Sequence, residues 1–284
     1  MLPAIGWIGL GRIGAPMAQR VAAAGLPLAV WSRRPRGSWP AVAGGVTAAA
    51  DPESLARSCD VVATIVGGPA DVSELHRRMI PHARPGTVFV EMTTAAPGNA
   101  TESGALAQRA GVHVVDAPVT GGVAGAQRGT LTAFVGGDAA ALERARPLLD
   151  AFCSRVVHCG DHGAGYRMKL VNQTMIAGVL LGLAAGASLA HAGGIDAAAV
   201  RSALGTGTAS GVLFDSYVER MVVPGGATTF TLAMLRKDLG LARAEAASRH
   251  ASSALADFAI GQVDAAIARH GPEAGVQFLA ADAR

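Results

Sequence analysis

Ala4-Ile5-Gly6-Trp7-Ile8, running directly into Gly9-Leu10-Gly11-Arg12-Ile13-Gly14, is the stretch on which the reading of the fold turns. An apolar run of strand length meets three glycines spaced G-x-G-x-x-G, and the Ala-rich segment from Ala15 to Ala24 continues with helical character. At the start of a βαβ unit the first glycine makes the tight turn, the second lets backbone approach a pyrophosphate, and the third lets helix pack on strand. The helix N-terminus then offers N–H groups and the positive end of its dipole to phosphate oxygens. Gly9, Leu10, Gly11, Arg12, Ile13 and Gly14 are therefore expected to bind a dinucleotide, the bland alternative being a glycine turn with no ligand.

Further apolar runs follow: Leu28 to Trp31, Val61 to Val66, Thr87 to Val90, Val112 to Val115, Leu131 to Val135 and Arg155 to His158. They alternate with Ala-rich stretches of helical length, which predicts a mostly parallel sheet covered by helices on both faces. After Gly160, Gly163 and Gly165 the strand signal stops. One long apolar helix is expected from about Tyr166 to Ala192, and beyond Gly193-Gly194 helical spacing runs to the end. The expected fold class is α/β: a Rossmann-type doubly wound domain over 1–162, then a long interdomain helix and an all-helical substrate and dimerisation domain over 163–284.

Composition narrows the function. In 284 residues, 50% are hydrophobic and 16% charged, which excludes a disordered chain. The net charge of +3 is spread without a long basic run, which argues against a nucleic-acid partner. Cys59, Cys153 and Cys159 are an odd number in a long chain, so no disulfide framework is expected and a reducing compartment fits. No signal-peptide pattern opens the sequence, and the expected location is the cytoplasm. The uncharged stretch Thr174 to Ala190 approaches membrane-spanning length, yet Asn172, Gln173 and His191 flank it and no second such stretch exists. A buried helix of a soluble protein is expected, with no membrane partner. Gly178, Gly182 and Gly186 on that helix form a small-residue ridge suited to close helix packing, within the subunit or against a second copy. Cys153, His158, Cys159 and His162 crowd together, but His158 and Cys159 are strand neighbours pointing to opposite faces, so no metal is expected. No G-x-S-x-G elbow supports a serine hydrolase.

An NAD-preferring site would carry Asp or Glu at the end of the second strand to hold the ribose 2′-hydroxyl. This chain has Trp31-Ser32-Arg33-Arg34, with Arg36 close behind. Guanidinium groups suit a 2′-phosphate through charge-assisted hydrogen bonds, so Ser32, Arg33 and Arg34 point to NADP, with NAD less favoured. A solvated corner of arginines is the alternative.

GLGRIGAPMA (9–18), EMTTAAP (91–97), DAPVTGGVAGAQRGTLTAFVGG (116–137), GAGYRMKLVNQ (163–173) and RKDLGLA (236–242) together resemble the β-hydroxyacid dehydrogenases over nearly the whole chain. That group includes 3-hydroxyisobutyrate dehydrogenase, tartronate semialdehyde reductase and glyoxylate/succinic semialdehyde reductase. The resemblance implies hydride transfer between a nicotinamide cofactor and a small β-hydroxyacid or its aldehyde or keto acid; with the arginines after Trp31 and the glycine ridge, an NADP-dependent homo-oligomer, dimer or tetramer, is expected. It implies Lys169 as the catalytic residue and Thr120, Gly121 and Gly122 as the anchor of the substrate carboxylate. Asn172, Gln173 and Asp238 would shape the rest of the substrate pocket, while Val66, Thr94 and Lys237 lie against the cofactor. The family pattern K-x-x-N-N reads here Lys169-Leu170-Val171-Asn172-Gln173, so the last amide is one methylene longer. Thr120 stands where many members have Ser. An imine reductase on the same fold and a non-catalytic NADP-binding scaffold are the alternatives.

Two residue-level arguments stand beside the resemblance. Adjacent glycines after Thr120 let backbone N–H groups approach an anion, a small-carboxylate cradle. Of 24 basic residues only Lys169 and Lys237 are lysines, so this chain uses arginine almost wherever a positive charge suffices. Arginine cannot release its proton, whereas lysine can act as an acid/base, and Lys169 is therefore expected to titrate or to need a compact ammonium.

Overall fold

The computed structural model describes residues 2–34, 46–223, 225–226 and 228–283, so Arg36 lies outside the described residues. The chain divides into two compact units, Met1–Lys169 and Leu170–Arg284.

The first unit runs β1 (Ile5–Ile8), α1 (Gly14–Ala23), β2 (Leu28–Trp31), β3 (Val46–Ala48), α2 (Pro52–Ser58), β4 (Val61–Thr64) and α3 (Pro69–Met79). It continues through β5 (Val88–Glu91), α4 (Pro97–Ala110), β6 (His113–Asp116), β7 (Val119–Thr120), α5 (Gly122–Arg128), β8 (Leu131–Gly136), α6 (Ala139–Asp150) and β9 (Cys153–Gly160) into α7 (Ala164–Ala192). One sheet takes the order β3-β2-β1-β4-β5-β6-β8-β7, with β9 added on β8. Pairing is parallel from β3 through to β6; β8 lies antiparallel to β6 and β7, and β9 runs parallel to β8.

Alternate residues of the central strands feed two cores, as a sheet covered on both sides requires. Ile5, Trp7, Val61, Ala63, Val88 and Val90 face one core with Met17 and Val21 of α1 and Leu148 and Leu149 of α6. Ile8, Val62 and Phe89 face the other with Leu55 of α2, Met79 of α3 and Ala107 of α4. Trp7 meets Phe152 edge to face at 5.9 Å. Local signals start the helices: Asp51 and Ser54 form a reciprocal capping box on α2, and the Asp138 carboxylate accepts from Ala141 N at the start of α6.

The second unit is helical: the remainder of α7, then α8 (Ala197–Leu204), α9 (Val212–Val222), α10 (Leu232–Ser248), α11 (Ala254–His270) and a closing 3-10 segment, Val276–Ala283. Leu180, Phe214, Val218, Leu235, Leu239, Ile260 and Val263 form its core. Thr231 caps α10 by accepting from Met234 N.

The doubly wound sheet and the helical second half agree with the sequence reading; three details differ. The edge strand β3 has only three residues and β7 only two, the latter parted from β6 by Ala117-Pro118, too short for a period-2 signal. The strand expected over Val61 to Val66 ends at Thr64. Burial of α7 is a correction: its apolar window has a mean hydropathy of 1.7, yet only 28% of it is buried in the single chain. By length and composition α7 could cross a membrane, and hydropathy alone does not say what covers an apolar helix.

Candidate active site

The phosphate loop divides its three glycines by role. Gly9 has φ +105°, and a Cβ there would collide with the Ile65 carbonyl oxygen. A Cβ on Gly14 would collide with Gly9 O, so close passage of helix and strand depends on its absence. A Cβ on Gly11 would meet nothing within 4 Å among the described residues, so its backbone is open to a ligand. Ile13, the N-cap of α1, has an apolar side chain that makes no capping hydrogen bond, which leaves this helix end to an anion. Turn, opening and uncapped helix fit a bound pyrophosphate.

At the end of β2, Arg34 Nη2 donates to Leu10 O at 2.9 Å, and Arg34 N donates to Ser32 Oγ at 3.4 Å. The second arginine thus folds back on the phosphate loop. Arg33 points outward, 71% exposed, and pairs with Asp71 at 3.0 Å. Such an exposed pair is worth about 1 kcal/mol or less and yields readily to a better anion.

Because β1, β2, β4 and β5 are parallel, Gly9, Ser32, Val66 and Thr94 all follow strand ends at one edge of the sheet. Ligands of open α/β sheets bind there. Thr93 locks the loops after β4 and β5 together: its Oγ1 accepts from Val66 N at 2.9 Å, and its own N donates to Glu91 Oε1 at 2.7 Å.

Beneath that lock lies a group the sequence reading did not single out. Glu91 is fully buried, accepts from the Thr64 hydroxyl, and has Oε2 3.6 Å from Nε2 of the equally buried His76. His76 Nδ1 lies 2.6 Å from Ser103 Oγ. Burial pushes the Glu91 carboxyl up to about 7, against the hydrogen bonds from Thr64 and Thr93, and lowers the His76 imidazole to about 4, against the nearby Glu102 carboxylate. Both groups favour the neutral form. No local pattern reveals the pair, since its members are 15 residues apart on a strand and a helix.

The pair predicts a pH effect. A raised carboxyl costs stability as pH rises from its unfolded value towards about 7; a lowered imidazole costs stability as pH falls from 6.5 towards about 4. In the wild type the two trends oppose, one proton residing on Glu91 in the fold and on His76 in the unfolded chain. Glu91→Gln removes the first trend only, so this variant is expected to lose roughly 2 kcal/mol between about pH 7 and pH 5, where the wild type changes little. Urea titrations at the two pH values measure it; parallel behaviour of both proteins would refute the neutral pair.

Asp116, at the end of β6, is the second residue missed. Its buried carboxylate accepts from Gly163 N at 2.7 Å and Tyr166 N at 2.9 Å, fastening the first turn of α7 to the sheet. Gly165 allows this approach, because a Cβ there would collide with the carbonyl oxygens of Phe134 and Asp116. Lys169 comes one turn later, 8% exposed. Thr120 pairs with Thr132 at the sheet margin, followed by Gly121 and Gly122 at φ +122° and +64°, conformations that glycine adopts without strain. A Cβ on Gly122 would meet nothing within 4 Å, so its backbone is approachable.

The second unit brings Asn172, Gln173, Lys237 and Asp238 together. Gln173 Nε2 donates to Asp238 Oδ2 at 2.6 Å, Asn172 Nδ2 donates to Gln173 Oε1 at 3.0 Å, and Lys237 Nζ lies 2.9 Å from Asp238 Oδ1. The ammonium makes an ion pair there, though its angle to Oδ1 falls outside hydrogen-bond alignment. Near β9, His158 Nε2 lies 2.8 Å from Gly137 O and Cys159 Sγ donates to Val157 O. Among the described residues, no three His, Cys, Asp or Glu side chains gather as a metal site would need.

Residues 4–160 match the family model described as the NAD binding domain of 6-phosphogluconate dehydrogenase. Residues 163–281 match that of the NAD-binding region of NADP-dependent 3-hydroxyisobutyrate dehydrogenase. An NAD-dependent L-serine dehydrogenase from Pseudomonas aeruginosa is 36% identical over 259 residues, covering 88% of this chain and 87% of the relative. The solved Mycobacterium tuberculosis 3-hydroxyisobutyrate dehydrogenase with L-serine superposes with a TM-score of 0.89 at 29% identity, covering 100% of both chains. An imine reductase variant from Myxococcus stipitatus with NAD+, 18% identical and covering 100% of both chains, shares the fold alone at a TM-score of 0.64. The chain belongs to the β-hydroxyacid dehydrogenase family. It is an NAD(P)-dependent oxidoreductase acting on a hydroxyl-bearing carbon.

Proposed function

We propose that this enzyme interconverts a small β-hydroxyacid and its aldehyde or keto acid, prefers NADP, and works in the cytoplasm as a homo-oligomer. The observation that carries the catalytic part is Lys169, a buried lysine in an arginine-rich chain, held on a helix turn that Asp116 ties to the sheet edge. Bound nicotinamide would supply or accept the hydride. Lys169 would protonate the developing alkoxide in reduction and take the hydroxyl proton in oxidation. Thr120, Gly121 and Gly122 would hold the carboxylate; Thr94, Val66 and Lys237 would line the cofactor. NADPH oxidation against a panel of small aldehyde acids, and NADP reduction with L-serine and 3-hydroxyisobutyrate, tests the assignment. Turnover of a cyclic imine with no acid accepted would favour the imine reductase, and NADPH binding without turnover a scaffold.

The cofactor preference rests on Ser32, Arg33 and Arg34. Wild type is expected to favour NADPH over NADH in kcat/KM, and alanine at Arg33 or Arg34 should cut that ratio about tenfold or more, since a charge-assisted contact is worth roughly 1.5 to 3 kcal/mol. Equal use of NADH by wild type would refute the preference. The free thiols of Cys59, Cys153 and Cys159 accord with a reducing cytoplasm.

Oligomerisation rests on α7. Met168, Val171, Met175, Val179 and Leu189 are exposed at helical spacing, and a Cβ on Gly182 or Gly186 would meet nothing within 4 Å. Among the described residues, Gly178 is the member of the ridge with a neighbour in its own chain, Leu255. A second copy of α7 would cover the remainder. Gly182→Leu, harmless to the single chain, should shift the protein towards monomer in sedimentation; an unchanged oligomer would place the contact elsewhere.

A further inference from the structure

We infer that Gln173 is a positioning residue: it acts on cofactor binding by pinning the Asp238–Lys237 pair, not by presenting its own amide to the substrate. This rests on the cofactor reading proposed for Lys237. The Gln173 side chain is 3% exposed and both ends of its amide are engaged, Nε2 with Asp238 Oδ2 at 2.6 Å and Oε1 with Asn172 Nδ2 at 3.0 Å. The 2.6 Å contact joins a neutral donor to a buried carboxylate and is therefore among the stronger hydrogen bonds of the second unit. Asp238 is held from two sides, by the α7 amide on one oxygen and by the neighbouring ammonium on the other. Without Gln173, Asp238 Oδ2 would be a buried acceptor deprived of its donor, and the carboxylate would swing towards another. Lys237 would move with it, since its ammonium is 2.9 Å from the same carboxylate.

Side-chain length is what makes Gln173 specific for this task. An asparagine stops one methylene, about 1.5 Å, short. Its amide nitrogen would stand beyond hydrogen-bond reach of Oδ2. Gln173→Asn thus removes the link while keeping the functional group, and Gln173→Glu tests it differently. A glutamate would face the Asp238 carboxylate, and the two would repel unless they shared a proton, as paired carboxylates do when pH falls.

NADPH binding to the full-length enzyme, followed by fluorescence, and initial-rate kinetics distinguish the possibilities. Gln173→Asn should weaken NADPH binding about tenfold, the loss of one charge-assisted hydrogen bond, while KM for the acid substrate changes little. Gln173→Glu should bind NADPH poorly at about pH 8.5 and recover towards wild type by about pH 6. Adding Lys237→Met to Gln173→Asn should weaken binding no further than Lys237→Met alone. Variants that raise KM for the acid and leave NADPH affinity unchanged would overturn the inference, as would a Gln173→Glu variant whose affinity tracks wild type at every pH. Failure of the cofactor reading itself would show separately, as wild type that does not bind NADPH.

Discussion

Lys169→Ala is expected to lower kcat/KM by about 10²- to 10⁴-fold while leaving NADPH affinity nearly intact, because general acid/base catalysis contributes on that order. A larger loss would mean that the ammonium also stabilises the alkoxide. Lys169→Arg is the sharper variant: it keeps the charge and most of the volume but cannot shuttle a proton. If Lys169 transfers the proton, the arginine enzyme should be nearly as impaired as the alanine one, in single-turnover as well as steady-state rates. Near-wild-type turnover by Lys169→Arg would reduce the position to a source of charge, and water would become the next candidate for the donor.

The second large effect is expected at Gly165→Ala. A methyl group there has nowhere to go, because two carbonyl oxygens of the sheet, from Phe134 and Asp116, already fill its place, and Asp116 Oδ2 lies only 2.9 Å away. Relief requires the first turn of α7 to lift from the sheet, which stretches the hydrogen bonds from Gly163 N and Tyr166 N to Asp116. Overpacking costs about 1 to 3 kcal/mol and loss of a helix cap about 1 more, so a total of roughly 3 kcal/mol is expected. Lys169 lies one helical turn along, and a displacement on the order of 1 Å at a reacting group costs about 10²-fold. Gly165→Ala should therefore lose stability in urea and kcat together, and Asp116→Asn, which keeps one acceptor but turns its amide NH2 towards the other backbone N–H, should lose part of both. A stable Gly165→Ala enzyme with wild-type kcat would show that the start of α7 does not set the position of Lys169.

Much of this molecule is legible in its sequence because its signals are local. G-x-G-x-x-G after an apolar strand, Val-rich runs at βα spacing, adjacent glycines after Thr120 and the scarcity of lysine each lie within one window of residues. What escaped is non-local. The Asp116 cap spans 47 residues to Gly163, the His76–Glu91 pair joins a helix to a strand, and the Gln173–Asp238 bond crosses 65 residues. In the sequence Asp116 is just another residue of a glycine-rich block, and only the fold shows it as the support of a helix. The exposed face of α7 escaped for another reason: an apolar helix looks the same whether its own chain or another molecule covers it.

The buried His76–Glu91 pair also constrains how this chain can change over generations. Removing Glu91 orphans the buried Thr64 hydroxyl and Thr93 N–H, and removing His76 takes the partner from Ser103, each at a cost of about 1 to 3 kcal/mol in a protein of ordinary stability. Replacing both with apolar residues does not remove the cost, because the buried hydroxyls of Thr64 and Ser103 and the Thr93 N–H would still be without their partners. Positions 64, 76, 91 and 103 are thus expected to drift together among descendants of this sequence, with few survivors of single exchanges. The His76→Phe/Glu91→Leu double variant should accordingly stay less stable than wild type in urea, because Thr64 and Ser103 keep their buried hydroxyls, and a lineage that has exchanged all four should have lost the balanced response to pH along with the pair.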